Sequence, residues 1–115
     1  MPIKRGDVAL VLFPDSKLRT AKRRPVLVIQ ADGLGTGLDQ FIVAMITSNL
    51  TRAGHPSRVS ISLATAGGQQ TGLKTDSVIM TDNLATIRDV EFYKTIGSWP
   101  DMAPVGNALR HTLGL

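Results

Sequence analysis

Pro25-Val26-Leu27-Val28-Ile29-Gln30 is the clearest strand in the chain. Pro25 fixes where it starts, because proline is tolerated at a strand's first position. Upstream, Asp7 to Phe13 is a nearly continuous apolar run ended by Pro14-Asp15-Ser16. A short β-branched run bounded by turn residues predicts a buried strand. Between these two strands lies a basic loop. Downstream, Ala31 to Gly37 is a turn-rich connection, and Phe41 to Thr47 is a third strand that stops at Ser48-Asn49. Thr51 to Pro56 forms a loop. Arg58 to Leu63 alternates polar and apolar residues, as a strand with one wet face does.

The rest of the chain is more broken. Ala64 to Thr75 is a polar, glycine-bearing loop. Ser77 to Met80 is another strand, and Leu84 to Ile87 is either its continuation or a bent sixth strand. Asp89 can cap a short helical turn over Val90 to Lys94. After Pro100, Asp101 can cap a helix whose apolar stripe is Met102, Val105, Leu109 and Leu113. Gly106 weakens that helix by about 1 kcal/mol. Five or six short strands and a terminal helix indicate a mainly β domain, a small barrel or strongly curved sheet.

Composition sets the outer limits. The 115 residues fit one small domain, 1–115, and 43% apolar content is ample for a packed interior. A domain of this size gains stability from burying further surface in an oligomer. There is no cysteine, which excludes disulfides and thiolate metal sites. His55 and His111 lack any metal-ligand spacing, so no metal and no cofactor are expected. No apolar run approaches the roughly 20 residues of a membrane helix, and Met1 to Asp7 meets an acid too soon for a signal peptide. The expectation is a soluble, cytoplasmic protein without membrane contact. The formal charge is +4, with Lys17, Arg19, Lys22, Arg23 and Arg24 crowded into one segment. Such a balance favours a polyanionic partner without identifying it.

Three stretches carry a resemblance. Lys4-Arg5-Gly6-Asp7-Val8, Arg23-Arg24-Pro25-Val26-Leu27-Val28-Ile29-Gln30 and Ile46-Thr47-Ser48-Asn49 occur in the order and spacing of MazF/PemK toxins. Asp76-Ser77-Val78-Ile79, Thr86-Ile87 and the closing Ala108 to Leu115 extend the match over nearly the whole chain. The resemblance implies an SH3-like β-barrel of the CcdB/MazF type with a C-terminal helix, assembled as a homodimer. It implies metal-free, sequence-specific cleavage of single-stranded RNA. It also implies an antitoxin whose acidic tail lies across the RNA groove.

The same resemblance assigns roles. Arg24 matches the family's catalytic arginine, whose planar fork can hold phosphate oxygens bidentately. Thr47 matches the catalytic threonine, whose hydroxyl can donate to a phosphate oxygen. Ser48 is a weaker second hydroxyl. Lys17, Arg19, Lys22 and Arg23 would contact phosphates, Thr20 would add a loop hydroxyl, and Asn83 could read a base edge. Asp82 is either a proton acceptor or a turn carboxylate. Asp7, Asp76 and Ser77 read as structural. Phe13, Phe41, Tyr93 and Trp99 look like core or rim residues rather than a stacking platform.

The chain departs from the pattern at Ala9, where relatives carry an aromatic residue, and at Ala85, where many carry arginine. Leu18 and Met80 stand near the places of a histidine and an arginine used by some PemK-type members. These departures bear on RNA sequence preference more than on activity. Two other readings stay open on this barrel: a gyrase-targeting toxin of the CcdB type, and an inactive module that binds RNA or antitoxin.

Overall fold

The computed structural model describes residues 2–14 and 21–115, without the side chains of residues 13, 14 and 21. Six strands form one antiparallel sheet: β1 Asp7–Pro14, β2 Ala21–Val28, β3 Gln40–Thr47, β4 Arg58–Ile61, β5 Ser77–Arg88 and β6 Phe92–Ser98. Their order across the sheet is β4-β5-β3-β2-β1-β6. Helix α1 (Ala66–Gln70) follows β4, and helix α2 (Ala103–Leu113) follows β6.

The unbroken apolar run of β1 is explained by burial on both sides of the sheet. Val8 and Ala9 are neighbours, point to opposite faces and are both fully buried. On one face Val8, Leu27, Ala44, Ile46 and Ile79 pack with Val105 of α2. On the other, Ala9, Val11, Val26, Val28 and Val43 pack with Ile87 and Phe92. Each buried Val, Leu, Ile or Phe among them contributes roughly 1.5–3 kcal/mol on removal from water, as an upper estimate.

The sheet is curled. Phe41 on β3 and Phe92 on β6 are separated by β2 and β1, so upright side chains on a flat sheet would stand roughly 14 Å apart. Their ring centroids are 5.8 Å apart, edge to face. Among the described residues no ladder joins β4 to β6. The architecture is therefore an open, barrel-like sheet capped by a terminal helix.

Several elements differ from the sequence reading. β2 begins at Ala21, so Lys22, Arg23 and Arg24 lie in a strand and not in a loop. Pairing with β1 imposes this, with Arg24 opposite Val11 and Arg23 opposite Leu12. Ser77–Met80 and Leu84–Ile87 are one long strand, β5. Its ladder on β3 jumps from Ala44↔Leu84 to Met45↔Met80, leaving Thr81, Asp82 and Asn83 as a bulge. Thr81 anchors that bulge: its N–H and hydroxyl donate to the Ser57 carbonyl at 3.0 and 2.6 Å, and its hydroxyl meets that of Thr112 at 2.8 Å.

The helical turn expected over Val90–Lys94 is instead a three-residue 3-10 turn, Asp89–Glu91, followed directly by β6. The loop Ala64–Thr75 contains α1, capped by the Thr65 hydroxyl accepting the Gly68 N–H at 3.0 Å. The terminal helix is as expected, with Val105 and Ala108 buried, but Leu113 is exposed. Asp101 accepts the Ala103 N–H at 3.3 Å from just outside the helix, whose cap position is Met102.

Candidate functional site

β2 and β3 pair through Val26↔Met45, Leu27↔Ala44 and Val28↔Val43. Both strands run past the last pair, β2 back to Ala21 and β3 on to Thr47. Arg24 and Thr47 each lie two residues beyond that last pair, past the end of the β2–β3 ladder. Side chains alternate along a strand, so both belong to the face that carries Val26, Val28 and Val43. Beyond Val26, β2 has only β1 for a neighbour. Pro25, which has no N–H to give, is accommodated on that locally unpaired edge.

A hollow of about 180 Å³ opens at this strand end. Arg24, Pro25, Ile46, Thr47 and Ser48 form one wall. Leu73, Lys74, Thr75 and Ser77, from the segment that enters β5, form the other. β5 is brought there because Val78 pairs with Thr47. The lining holds two cations and no acid.

Arg24 is exposed, and its side chain takes part in no hydrogen bond or ion pair among the described residues. Thr47 is half-buried, and its hydroxyl oxygen accepts the Asn49 N–H at 3.1 Å. That contact makes Thr47 a turn former, and it also fixes the side chain. A hydroxyl has one O–H and two lone pairs, so its proton remains available to an acceptor in the hollow. Ser48 is exposed and lines the same space. Ser77, by contrast, is buried and donates to the Thr75 carbonyl at 3.0 Å, which is a structural role. Asp76 likewise accepts the Leu63 N–H at 2.8 Å, and Asp7 accepts the Lys4 N–H at 2.9 Å.

The other expected residues are scattered. Lys17, Arg19 and Thr20 lie outside the described residues. Lys22 is exposed opposite Phe13 and does not line the hollow. Arg23 points to the face opposite Arg24, where its guanidinium carbon sits 3.5 Å from the centroid of the Tyr93 ring. Tyr93 is 49% exposed, with Lys94 Nζ 5.9 Å from its centroid. Asn83 is exposed in the β5 bulge, away from the hollow. Its neighbour Asp82 is ion-paired with Arg58 at 2.7 Å. The Arg58 hydrogen bond holds the Asp82 carboxyl below the usual carboxylate range, against the opposing effect of burial. A carboxylate so stabilised is a poor proton acceptor.

The full pattern of the chain matches one family model, described as PemK-like, MazF-like toxin of type II toxin–antitoxin system, over residues 4–113. The chain belongs to this family. Among curated relatives of this PemK/MazF-type chain are endoribonuclease MazF2 of Mycobacterium bovis and endoribonuclease MazF6 of Mycobacterium tuberculosis. Each is 35% identical over 119 aligned residues, covering the full length of both proteins.

Solved structures agree on the fold. An endoribonuclease in complex with its cognate antitoxin from a mycobacterial species superposes with a TM-score of 0.77 at 19% identity, over 99% of this chain and 97% of that one. The Mycobacterium tuberculosis toxin MazF-mt6 gives 0.74 at 22%, over 95% and 97%. A MazE–MazF structure from Deinococcus radiodurans gives 0.72 at 19%, over 100% and 98%.

Among the residues that line the Arg24–Thr47 hollow, sequence reading missed Lys74 and its neighbours Leu73 and Thr75. They sit in what reads as a nondescript polar loop. The available signal was position: Lys74-Thr75 immediately precedes the Asp-Ser strand whose first residues lie beside Thr47. Tyr93, read as a core or rim residue, and Lys94, read as the end of a helical turn, both lie exposed on β6, which was not recognised as a strand. No helix among the described residues is long and apolar enough to cross a membrane.

Proposed function

We propose that this toxin-family chain is a metal-independent endoribonuclease that cuts single-stranded mRNA at preferred sequences. It acts in the cytoplasm as a homodimer, and a cognate antitoxin silences it. The observation that carries the reading is the acid-free hollow lined by both Arg24 and Thr47, with Lys74 and Ser48 beside them. The names of the curated relatives support the activity, and those of the solved antitoxin complexes support the partner.

RNA carries its own nucleophile. The 2′-oxygen forms a bond to the adjacent phosphorus while the bond from phosphorus to the 5′-oxygen breaks. The 2′-hydroxyl proton leaves to a base, and a proton returns to the departing 5′-oxygen. The products are a 2′,3′-cyclic phosphate and a 5′-hydroxyl end. Charge builds on the non-bridging oxygens, so fixed donors aimed at them lower the barrier.

Arg24 supplies a permanent, planar cation for those oxygens, and Thr47 supplies an oriented O–H. Arginine stays protonated in proteins, so Arg24 acts by stabilising charge. Ser48 offers a second hydroxyl. Lys22 and Arg23 bear on flanking phosphates, and Asn83 on a base remote from the scissile bond.

Labelled RNAs of several sequences, incubated with the protein in EDTA, test the proposal. Discrete fragments ending in a cyclic phosphate are expected. Placing 2′-deoxyribose at the cut nucleotide should leave binding intact and stop the reaction. Gyrase inhibition without RNA cleavage would favour the CcdB-like reading, and salt-sensitive binding without turnover would favour an inactive module.

A further inference from the structure

Pro25, Leu73 and Lys74 each line two hollows at once. The second, of about 560 Å³, runs from this shared wall past Leu10 of β1 to Lys94 and Ile96 of β6. Its floor is sheet: Leu10 pairs with Pro25 on one side and with Lys94 on the other, so the three residues form a row across β2, β1 and β6.

Size separates the two spaces. Pockets that enclose small ligands run about 300–1,000 Å³. The Arg24–Thr47 hollow, at about 180 Å³, has room for a phosphodiester group but not for a nucleoside. The neighbour, at about 560 Å³, has room for one. Leu10, Pro25, Leu73 and Ile96 offer apolar surface to a base or sugar face. Lys74 stands at the junction and Lys94 at the far end, both exposed. No acidic residue lines either space, whereas the hollow along the Gln30–Phe41 connection contains Asp32 and Asp39.

We propose that the second hollow is a nucleotide subsite of the RNA groove. It seats the nucleotide adjoining the scissile phosphate, with Lys74 and Lys94 holding the phosphates at its two ends. The assignment rests on the Arg24–Thr47 hollow being the place of cleavage. Lysine acts here as a point charge, so the subsite adds affinity without reading the base, and its contribution fades with salt.

The test separates this subsite from the cleavage reading by using RNA that cannot react. Binding of a fully 2′-O-methylated RNA is measured across a range of salt concentrations. The proteins compared are wild type, Lys74→Ala, Lys94→Ala, the double variant, and Lys4→Ala as a control outside both hollows. Each of Lys74→Ala and Lys94→Ala should lower the slope of log affinity against log salt by about 0.7, the double variant by their sum, and Lys4→Ala by nothing. Melting temperatures should stay at the wild-type value, since both lysines are exposed.

An unchanged slope in the double variant overturns the subsite. So does a loss confined to binding of poly-glutamate, which would make the hollow an acidic-peptide site. Absence of cleavage of unmodified RNA by wild type, with these slopes intact, would sink the cleavage reading instead.

Discussion

Arg24 on β2 and Thr47 on β3 each lie two residues beyond the Val26–Met45 pair that ends their ladder, and both line one hollow at the strand end. Neither residue lies near the other in sequence. Antiparallel pairing of two eight-residue strands joins them, with Pro25 occupying the place where the ladder on that side has stopped. The toxin's proposed chemistry thus depends on strand register, which a one-residue slip would destroy by turning every side chain to the other face.

Thr47 has two separable duties, and substitution should distinguish them. Thr47→Ser keeps the oxygen that accepts the Asn49 N–H and keeps the donor, so its turnover should stay within a few-fold of wild type. Thr47→Val removes both and should slow single-turnover cleavage by about 10²-fold, the typical cost of one lost donor to a developing oxyanion. Equal rates for the two variants would remove the hydroxyl from the mechanism.

The Arg58–Asp82 pair predicts an acid-dependent contribution to stability. The Asp82 carboxyl is held below its ordinary value, chiefly by its hydrogen bond to Arg58. Its stabilisation is therefore complete above the unfolded carboxylate value near 4 and is lost as pH falls through the lower folded value. Asp82→Asn should melt below wild type at pH 7, and the difference should shrink as pH falls below the ordinary carboxylate range. The effect is small, because the pair is solvent-facing. RNA cleavage by Asp82→Asn should persist, which would not hold if Asp82 took the 2′-hydroxyl proton.

Two glycines should respond in opposite directions. A Cβ on Gly72, at φ +73°, would sit 2.1 Å from the Ile96 carbonyl oxygen, so Gly72→Ala must push β6 away from the segment carrying Leu73 and Lys74. The expected loss is about 1–3 kcal/mol, read as a lower melting temperature. Gly106, inside α2, has only the flexible end of Arg110 near its would-be Cβ, at 3.9 Å. Gly106→Ala should raise stability by about 0.5–1 kcal/mol. A neutral Gly72→Ala would mean that this contact between loop and strand is loose.

The legible parts of the fold were those whose pattern is set locally. The buried runs of β1 and β3 and the alternation of β4 are visible in sequence because burial dictates the residue types directly. β6 was hidden. Phe92 and Ile96 are its inward residues, but Tyr93, Lys94 and Thr95 are exposed and Asp89 offers a helix cap just upstream. Only pairing with β1, more than 80 positions away in sequence, makes it a strand.

The same holds for Lys22 to Arg24, whose charges read as loop but whose partners in β1 extend them. At the site, Arg24 and Thr47 drew attention through family resemblance, since a surface arginine and a strand-end threonine are ordinary in themselves. Lys74 carried no such signal. Its place beside them comes from the Thr47–Val78 pairing, a non-local contact.

The most direct test of the central claim is single-turnover cleavage of 5′-labelled RNA in EDTA by Arg24→Ala, with folding verified by thermal melt. Cleavage slowed by at least about 10²–10³-fold, with binding to 2′-O-methylated RNA weakened far less, is the predicted result. Cleavage at the wild-type rate would contradict it.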